Sequence, residues 1–329
     1  MTTLDFDLIN HTRQPAPKPV ELPETRLTGK DSPADYLPDR GLVDALRAML
    51  LLRRPLLITG EPGTGKTQAA HYLSWKLGYG EAALRFDTKS TSTARDLFYG
   101  YDTMARFHAA QVHEGSQKSV DYIQFNALGI AILRANSLNS LAGALPPGFD
   151  HAGHPTQSVV LIDEIDKAPR DFPNDLLNEL ENMTFRVPEL GNREFRANRN
   201  FSPVVVITSN SEKNLPSAFL RRCIYYHIPR PTREQFALIL KARLGVDSSM
   251  PLMEDALDFL MYARSGEAEL AKRPATAELL DFVLVLQANG AKAEQRFREI
   301  ESTVISTLGT LIKGETDDRK RVLKEWLAR

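Results

Sequence analysis

Gly60-Glu61-Pro62-Gly63-Thr64-Gly65-Lys66-Thr67 fills every defined position of the phosphate-binding pattern G-x-x-x-x-G-K-S/T. Its flanks agree with it. Leu56-Leu57-Ile58 is a short apolar strand run leading in, and Ala69, Leu73 and Leu77 space one helical face leading out. Strand, glycine loop and helix in that order are what phosphate binding needs: glycines let backbone N–H groups close on phosphate oxygens, and the helix N-terminus adds its positive dipole. Lys66 is placed to reach the β- and γ-phosphates, and the Thr67 hydroxyl to bind Mg2+. Gly60 to Thr67, with Gln68 after it, is therefore the expected nucleotide-binding segment; the plain alternative is a glycine-rich turn that only resembles the pattern.

The chain has 329 residues, enough for two domains and a sizeable core. Lys plus Arg number 41 and Asp plus Glu 42, so no global field draws it to nucleic acid or to an anionic membrane. The single cysteine, Cys223, excludes an intrachain disulfide, argues against a thiolate zinc site and suits a reducing cytosol. The first residues lack a basic segment followed by an apolar core, and Met49 to Ile58 is interrupted by Arg53-Arg54-Pro55 and too short to span a bilayer. A soluble, cytoplasmic protein without a membrane span is expected.

Residues 11–38 carry six prolines among charged residues, which suits an extended arm over 1–35. Gly41 to Leu52 reads as a helix ahead of the first strand, and Ala83 to Asp87 as a second strand. The next strand run starts only at Ser158, so something is inserted over about 88–158. Within it, Leu97, Phe98, Tyr101, Ala105, His108 and Val112 keep helical spacing, Asp121 to Phe125 alternates like a strand, Ala127 to Leu138 is helical, and Gly143 to Ser158 is a Gly/Pro-rich loop. Val159 to Asp163 is a strand and Pro173 to Met183 a helix. A hairpin over about 185–196 turns at Gly191-Asn192, and Pro203 to Asn210 and Cys223 to Ile228 are the last strands. Strands alternating with helices predict a parallel α/β sheet over 36–229. After Pro229-Arg230-Pro231 the pattern is all-helical to 329, opening on a capping box of Thr232 and Gln235, with further helices at about 253–264, 276–288, 291–313 and 317–328.

Three further stretches bear on chemistry. Val159-Val160-Leu161-Ile162-Asp163-Glu164 is an apolar strand ending in two carboxylates, a Walker B arrangement in which Asp163 would hold Mg2+ near Thr67 and Glu164 would polarise an attacking water. Two adjacent carboxylates delivered by a buried strand make best sense beside a cation; the plain reading is the start of a solvated loop. Asn210, ending the run Val204 to Ser209, offers donor and acceptor to a γ-phosphate or a water, or simply starts a loop. Arg221-Arg222, closing a short helix after Leu215-Pro216, are surface cations or the transition-state charge that the site otherwise lacks, in which case a neighbouring subunit supplies it.

Taken together, the glycine loop, Leu161-Ile162-Asp163-Glu164-Ile165-Asp166-Lys167-Ala168, Ile207-Thr208-Ser209-Asn210 and Leu215-Pro216 to Cys223 resemble the MoxR-type branch of AAA+ ATPases over about residues 36–288. The resemblance implies an α/β AAA+ P-loop NTPase with a parallel central sheet followed by an all-helical lid, using ATP and Mg2+. It implies Asp163 for magnesium, Glu164 as catalytic base, Asn210 as sensor 1, and Arg222 as the trans arginine finger with Arg221 beside it. It also implies a homo-oligomeric, hexameric ring, a chaperone-like action on a protein client and a von Willebrand factor A domain partner, with the 88–158 insert and the 185–196 hairpin facing a central pore. One feature departs from the family: its second sensor is an arginine just after a proline, whereas Lys272-Arg273-Pro274 puts the basic residues before it, leaving Arg273 as the candidate.

Two other readings stay open. Arg193, Arg196 and Arg199 make a basic run that suits a nucleic-acid motor or loader, although neutral net charge counts against it and a solvated hairpin is the simpler reading. A slow nucleotide-gated scaffold or switch is the other, and Glu164 counts against that. His151 and His154 lack a third ligand and are read as solvated loop rather than a metal site.

Overall fold

The computed structural model describes residues 32–112, 118–210 and 215–329. Of the expected N-terminal arm only the end falls within these residues, where Pro33–Asp35 forms a 3-10 turn; the rest lies outside them. The described chain divides into two compact units, Tyr36–Pro229 and Arg230–Arg329, the second taking in residues 32–35 as well.

The first unit runs α1 (Arg40–Leu52), β1 (Leu56–Thr59), α2 (Lys66–Lys76), β2 (Leu84–Asp87), β3 (Tyr99–Tyr101), α3 (Thr103–Val112), β4 (Ile123–Phe125) and α4 (Ala127–Arg134). It continues with β5 (Val159–Asp163), α5 (Phe172–Asp175), α6 (Leu177–Asn182), β6 (Thr184–Val187), β7 (Arg193–Arg196), β8 (Val204–Ser209), α7 (Ser217–Arg222) and β9 (Ile224–His227). Five of the strands form a wholly parallel sheet in the order β2-β5-β8-β1-β9. The uninterrupted apolar runs of β5 and β8 follow from cover on both faces. Val160, Ile162, Val205 and Ile207 enter one core, while Val159, Leu161, Val204 and Val206 enter the other, shared with α1 and α2. With β8 between β1 and β5, the glycine loop, Asp163 and Asn210 leave the same edge of the sheet.

The insert differs from its sequence reading. The helix expected from Leu97 starts only at Thr103, because Leu97, Phe98 and Tyr99 are all buried, and no single helical face buries three consecutive residues. They form a 3-10 turn and β3, which pairs antiparallel with β4, Tyr99 opposite Phe125. The helix expected over Pro173–Met183 is two pieces, α5 and α6, parted at Leu176, yet Phe172, Leu176, Leu180 and Met183 are buried. The β6–β7 hairpin pairs Phe185 with Phe195, and the rings of Phe98 and Phe185 (5.1 Å) and of Phe185 and Phe195 (5.2 Å) join this hairpin to the segment leading into β3 in one aromatic core. Against it lies Gly129 of α4, where a Cβ would stand 2.0 Å from the Phe98 carbonyl oxygen, so only glycine permits that approach.

The second unit holds α8 (Arg233–Leu244), α9 (Pro251–Arg264), α10 (Thr276–Ala288), α11 (Glu301–Leu311) and α12 (Thr316–Leu327) around a core that includes Phe236, Phe259, Phe282 and Phe297. Thr232 and Gln235 cap α8 reciprocally: the Thr232 N–H donates to Gln235 Oε1 (2.8 Å) and the Gln235 N–H to Thr232 Oγ1 (3.3 Å). The helix expected over 291–313 begins ten residues later, at Glu301. Asp255 of α9 accepts both the Phe297 N–H (2.7 Å) and Arg296 Nη1 (2.7 Å), which pins the preceding segment as a turn. Among the described residues no helix is long and apolar enough to cross a membrane.

Candidate functional site

The glycine loop is wrapped around its own lysine. Gly65 has φ +87°, and a Cβ there would stand 3.0 Å from the Tyr36 ring, so both its backbone angle and its neighbour require glycine. The Lys66 side chain is buried, and its Nζ donates to the carbonyls of Gly60 (2.9 Å) and Glu61 (2.9 Å). Thr64 Oγ1 closes the curl on the Glu61 carbonyl at 2.8 Å. Burial pulls the Lys66 ammonium below the ordinary lysine range, against the field of Asp166, Asp163, Glu164 and Glu61. Its partners are neutral carbonyls, so an anionic phosphate offers a stronger, charge-assisted bond to the same ammonium. Pro62 and Gly63 are exposed at the tip of the loop, and Gln68 is partly buried in the first turn of α2.

Across β8, Asp163 is 4% exposed and its carboxylate is fully occupied. Thr67 Oγ1 donates towards Oδ1 and Oδ2 (3.1 and 3.2 Å), Thr208 Oγ1 donates to Oδ1 (2.5 Å), and Arg85 Nη2 lies 2.9 Å from Oδ2. The Thr208 hydroxyl also accepts the Glu164 N–H at 2.9 Å, so one side chain orients both carboxylate residues. Glu164 has φ 54° and ψ 52°, a left-handed conformation that costs a non-glycine residue about 1–3 kcal/mol and turns its side chain out of the strand direction. Its Oε1 accepts Asn210 Nδ2 (3.1 Å), its Oε2 pairs with Lys167, and the Asn210 N–H donates to Asp166 Oδ1 (3.0 Å). Lys167 holds the Glu164 carboxyl below the usual carboxylate range; partial burial opposes this and Asn210 adds to it.

Lys66, Thr67, Asp163, Glu164 and Asn210 thus stand together at the carboxyl ends of β1, β5 and β8. The Thr67 hydroxyl and the Asp163 carboxylate are hard oxygen donors beside an anion-binding loop, a set that fits Mg2+ completed by phosphate and water oxygens. Four of the partners found here, Arg85, Thr208, Asp166 and Lys167, were given no role from sequence. An Arg-x-Asp pair alternating with Leu84 and Phe86 was the available signal for Arg85.

The arginines stand elsewhere. Arg221 and Arg222 end α7, next to β9, whose Ile224 is in register with Leu56 at the start of β1. From Leu56 to Gly60 the strand climbs about 13 Å, so the pair lies at the opposite edge of the sheet from this chain's own loop. Arg54 Nε donates to the Arg222 carbonyl (3.1 Å) and its Nη2 to that of Arg221, and the Arg222 guanidinium pairs with Glu181. Arg273 is exposed in the second unit, in the loop before α10. Arg193 donates to the carbonyls of Ala142 (3.0 Å) and Ser140 (2.9 Å), and Arg196 faces Glu194. His151 bonds through Nε2 to the Asn136 carbonyl (3.1 Å) and accepts the Gly153 N–H on Nδ1 (2.9 Å), and among the described residues no group of three or more His, Cys, Asp or Glu could hold a metal ion.

Residues 55–223 match a family model described as the AAA domain of the dynein-related subfamily. No curated protein matches the sequence. Among solved structures, the chain is similar to an Hsp104–ADP complex of S. cerevisiae, at 18% identity and a TM-score of 0.42, covering 69% of this chain and 42% of that one. It is also similar to domain III of the replication initiation protein DnaA from Thermotoga maritima, at 14% identity and a TM-score of 0.43, covering 88% of this chain and 99% of that one. The chain therefore spans less than half of the Hsp104 chain.

Proposed function

Because the chain belongs to the AAA domain family, dynein-related subfamily, with an α/β AAA+ fold followed by a helical region, we propose that it hydrolyses ATP at sites shared between subunits of a ring. The single observation that carries this reading is the convergence at one edge of the sheet of Lys66, folded on its own loop, with the bonded pairs Thr67–Asp163 and Asn210–Glu164. Lys66 exchanges its carbonyl partners for the β- and γ-phosphates, and the amides of Gly63 to Thr67 line the phosphate cradle. Mg2+, when bound, neutralises developing phosphate charge, and Thr67 and Asp163 are the residues that hold it. Glu164 accepts a proton from the attacking water, and Asn210 fixes the Glu164 carboxylate and senses the γ-phosphate.

Arg222, with Arg221 beside it, serves the site of the neighbouring copy. Its distance from this chain's own loop supports that assignment. The motif set further supports a cytoplasmic MoxR-type ATPase, a hexameric remodelling motor acting on a protein client, with a von Willebrand factor A domain protein as partner. Replacing Lys66 by Ala tests the site: nucleotide binding, read by fluorescence of a labelled ATP, should weaken by about 100-fold or more, as expected from losing two charge-assisted contacts. Unchanged binding would refute the reading. Glu164→Gln protein incubated with ATP should assemble into a ring and retain its client, read by light scattering and affinity capture.

A further inference from the structure

Asp163 holds one partner that the chemistry above does not use. Its side chain is 5% exposed and takes the Arg85 guanidinium on Oδ2 at 2.9 Å, opposite the oxygen that Thr208 occupies. Arg85 comes from β2, which pairs with β5 in parallel register, Arg85 beside Leu161 and Asp87 beside Asp163. Alternation along β2 sends Leu84 and Phe86 into the core on the insert side and Arg85 and Asp87 to the other face, where Asp163 lies. Asp87 Oδ1 holds the guanidinium from outside, 2.6 Å from Nη2 and 2.8 Å from Nε. A carboxylate this buried is costly without a cation, and two hydroxyls alone do not offset that cost.

We propose, on the premise of the nucleotide site above, that Arg85 is the built-in counter-cation of Asp163 and sets the divalent-metal concentration at which the site loads. Arg85 and the metal compete for one carboxylate. A fixed positive charge within ion-pair distance of a metal-binding oxygen repels the incoming cation, and the pair with Asp163 must loosen before the metal gains the full carboxylate. Asp87 moderates this competition by sharing the guanidinium. Arg85 is thus a positioning residue, acting through Asp163 rather than on substrate.

The test uses the full chain and titrates Mg2+ against a fixed concentration of a fluorescent ATP analogue, with thermal melting in the absence of metal as a second readout. Arg85→Gln should lower the half-saturating Mg2+ by about five- to tenfold, and Arg85→Lys should stay within about twofold of the wild type. The metal-free Arg85→Gln protein should melt lower, and Mg2+ should raise its melting point more than that of the wild type. Asp87→Asn should move the metal requirement up, by clearly less in the Arg85→Gln background. An unchanged or higher requirement in Arg85→Gln, or an Asp87→Asn shift of undiminished size in the double variant, overturns the competition. Should Arg85→Gln fail to fold, Arg85→Met alone and combined with Asp87→Asn takes its place, with the same expected and overturning results. Nucleotide that binds the wild type at no metal concentration would sink the nucleotide site and this inference together, whereas normal loading that ignores Arg85 sinks only this inference.

Discussion

The two ends of the central sheet are built differently. At the carboxyl ends of β1, β5 and β8, Asp163 meets Thr67, Thr208 and Arg85, and Glu164 meets Asn210 and Lys167, while Lys66 is folded back on its loop. At the amino ends, Arg222 and Glu181 pair with 43% and 52% of their side chains exposed, and Arg221 faces solvent. A half-exposed pair of that kind contributes about 1 kcal/mol or less, so Arg222 leaves Glu181 at little cost. The closed network holds its reagents in place. At the open edge the Arg222 guanidinium is held by the exposed Glu181 carboxylate and reaches the Ala218 carbonyl at 3.4 Å; on the proposed function it exchanges these partners for the site of a neighbouring copy.

Breaking the open edge should have the largest effect. Arg222→Ala is expected to lower the steady-state rate of phosphate release by about 10³, with ATP affinity nearly unchanged, as for loss of an arginine finger. A fall of less than tenfold would mean that the edge has no part in the chemistry. At the closed end, Glu164→Gln should cost about 10² in turnover while ATP binding persists, the range of a lost general base.

Stability separates the two ends further. Thr208→Val removes the hydroxyl that serves both Asp163 and the Glu164 N–H, and urea unfolding should show a loss of about 1–3 kcal/mol. Its counterpart at the open edge, Glu181→Ala, should change stability by less than about 0.5 kcal/mol and leave turnover equal or higher, since it frees Arg222. Equal losses for the two would erase the distinction.

Much of this was legible in the sequence where the signal is local. The glycine loop, the strand-to-carboxylate step at Val159 to Glu164 and the apolar run to Asn210 show themselves through short-range pattern, and the parallel sheet follows from strands buried on both faces. What stayed hidden is non-local. Arg85 is one residue on a strand whose neighbour is known only once the order β2-β5-β8-β1-β9 is known. Thr208 reads from sequence as a β-branched strand residue, and only its place between Asp163 and Glu164 reveals two further duties. The late start of α11 depends on Asp255, some forty residues away, and the strand at Tyr99 on pairing with Phe125, so helical spacing alone misread both segments.

A mixing experiment addresses the proposed sharing of the site between subunits most directly. Arg222→Ala protein keeps its base and Glu164→Gln protein keeps its arginine, and each alone should be nearly inactive. Random co-assembly brings a sound base against a sound arginine at about one interface in four, so the mixture should recover up to about a quarter of the wild-type ATPase rate. A mixture no faster than the average of its two components would contradict catalysis across the interface.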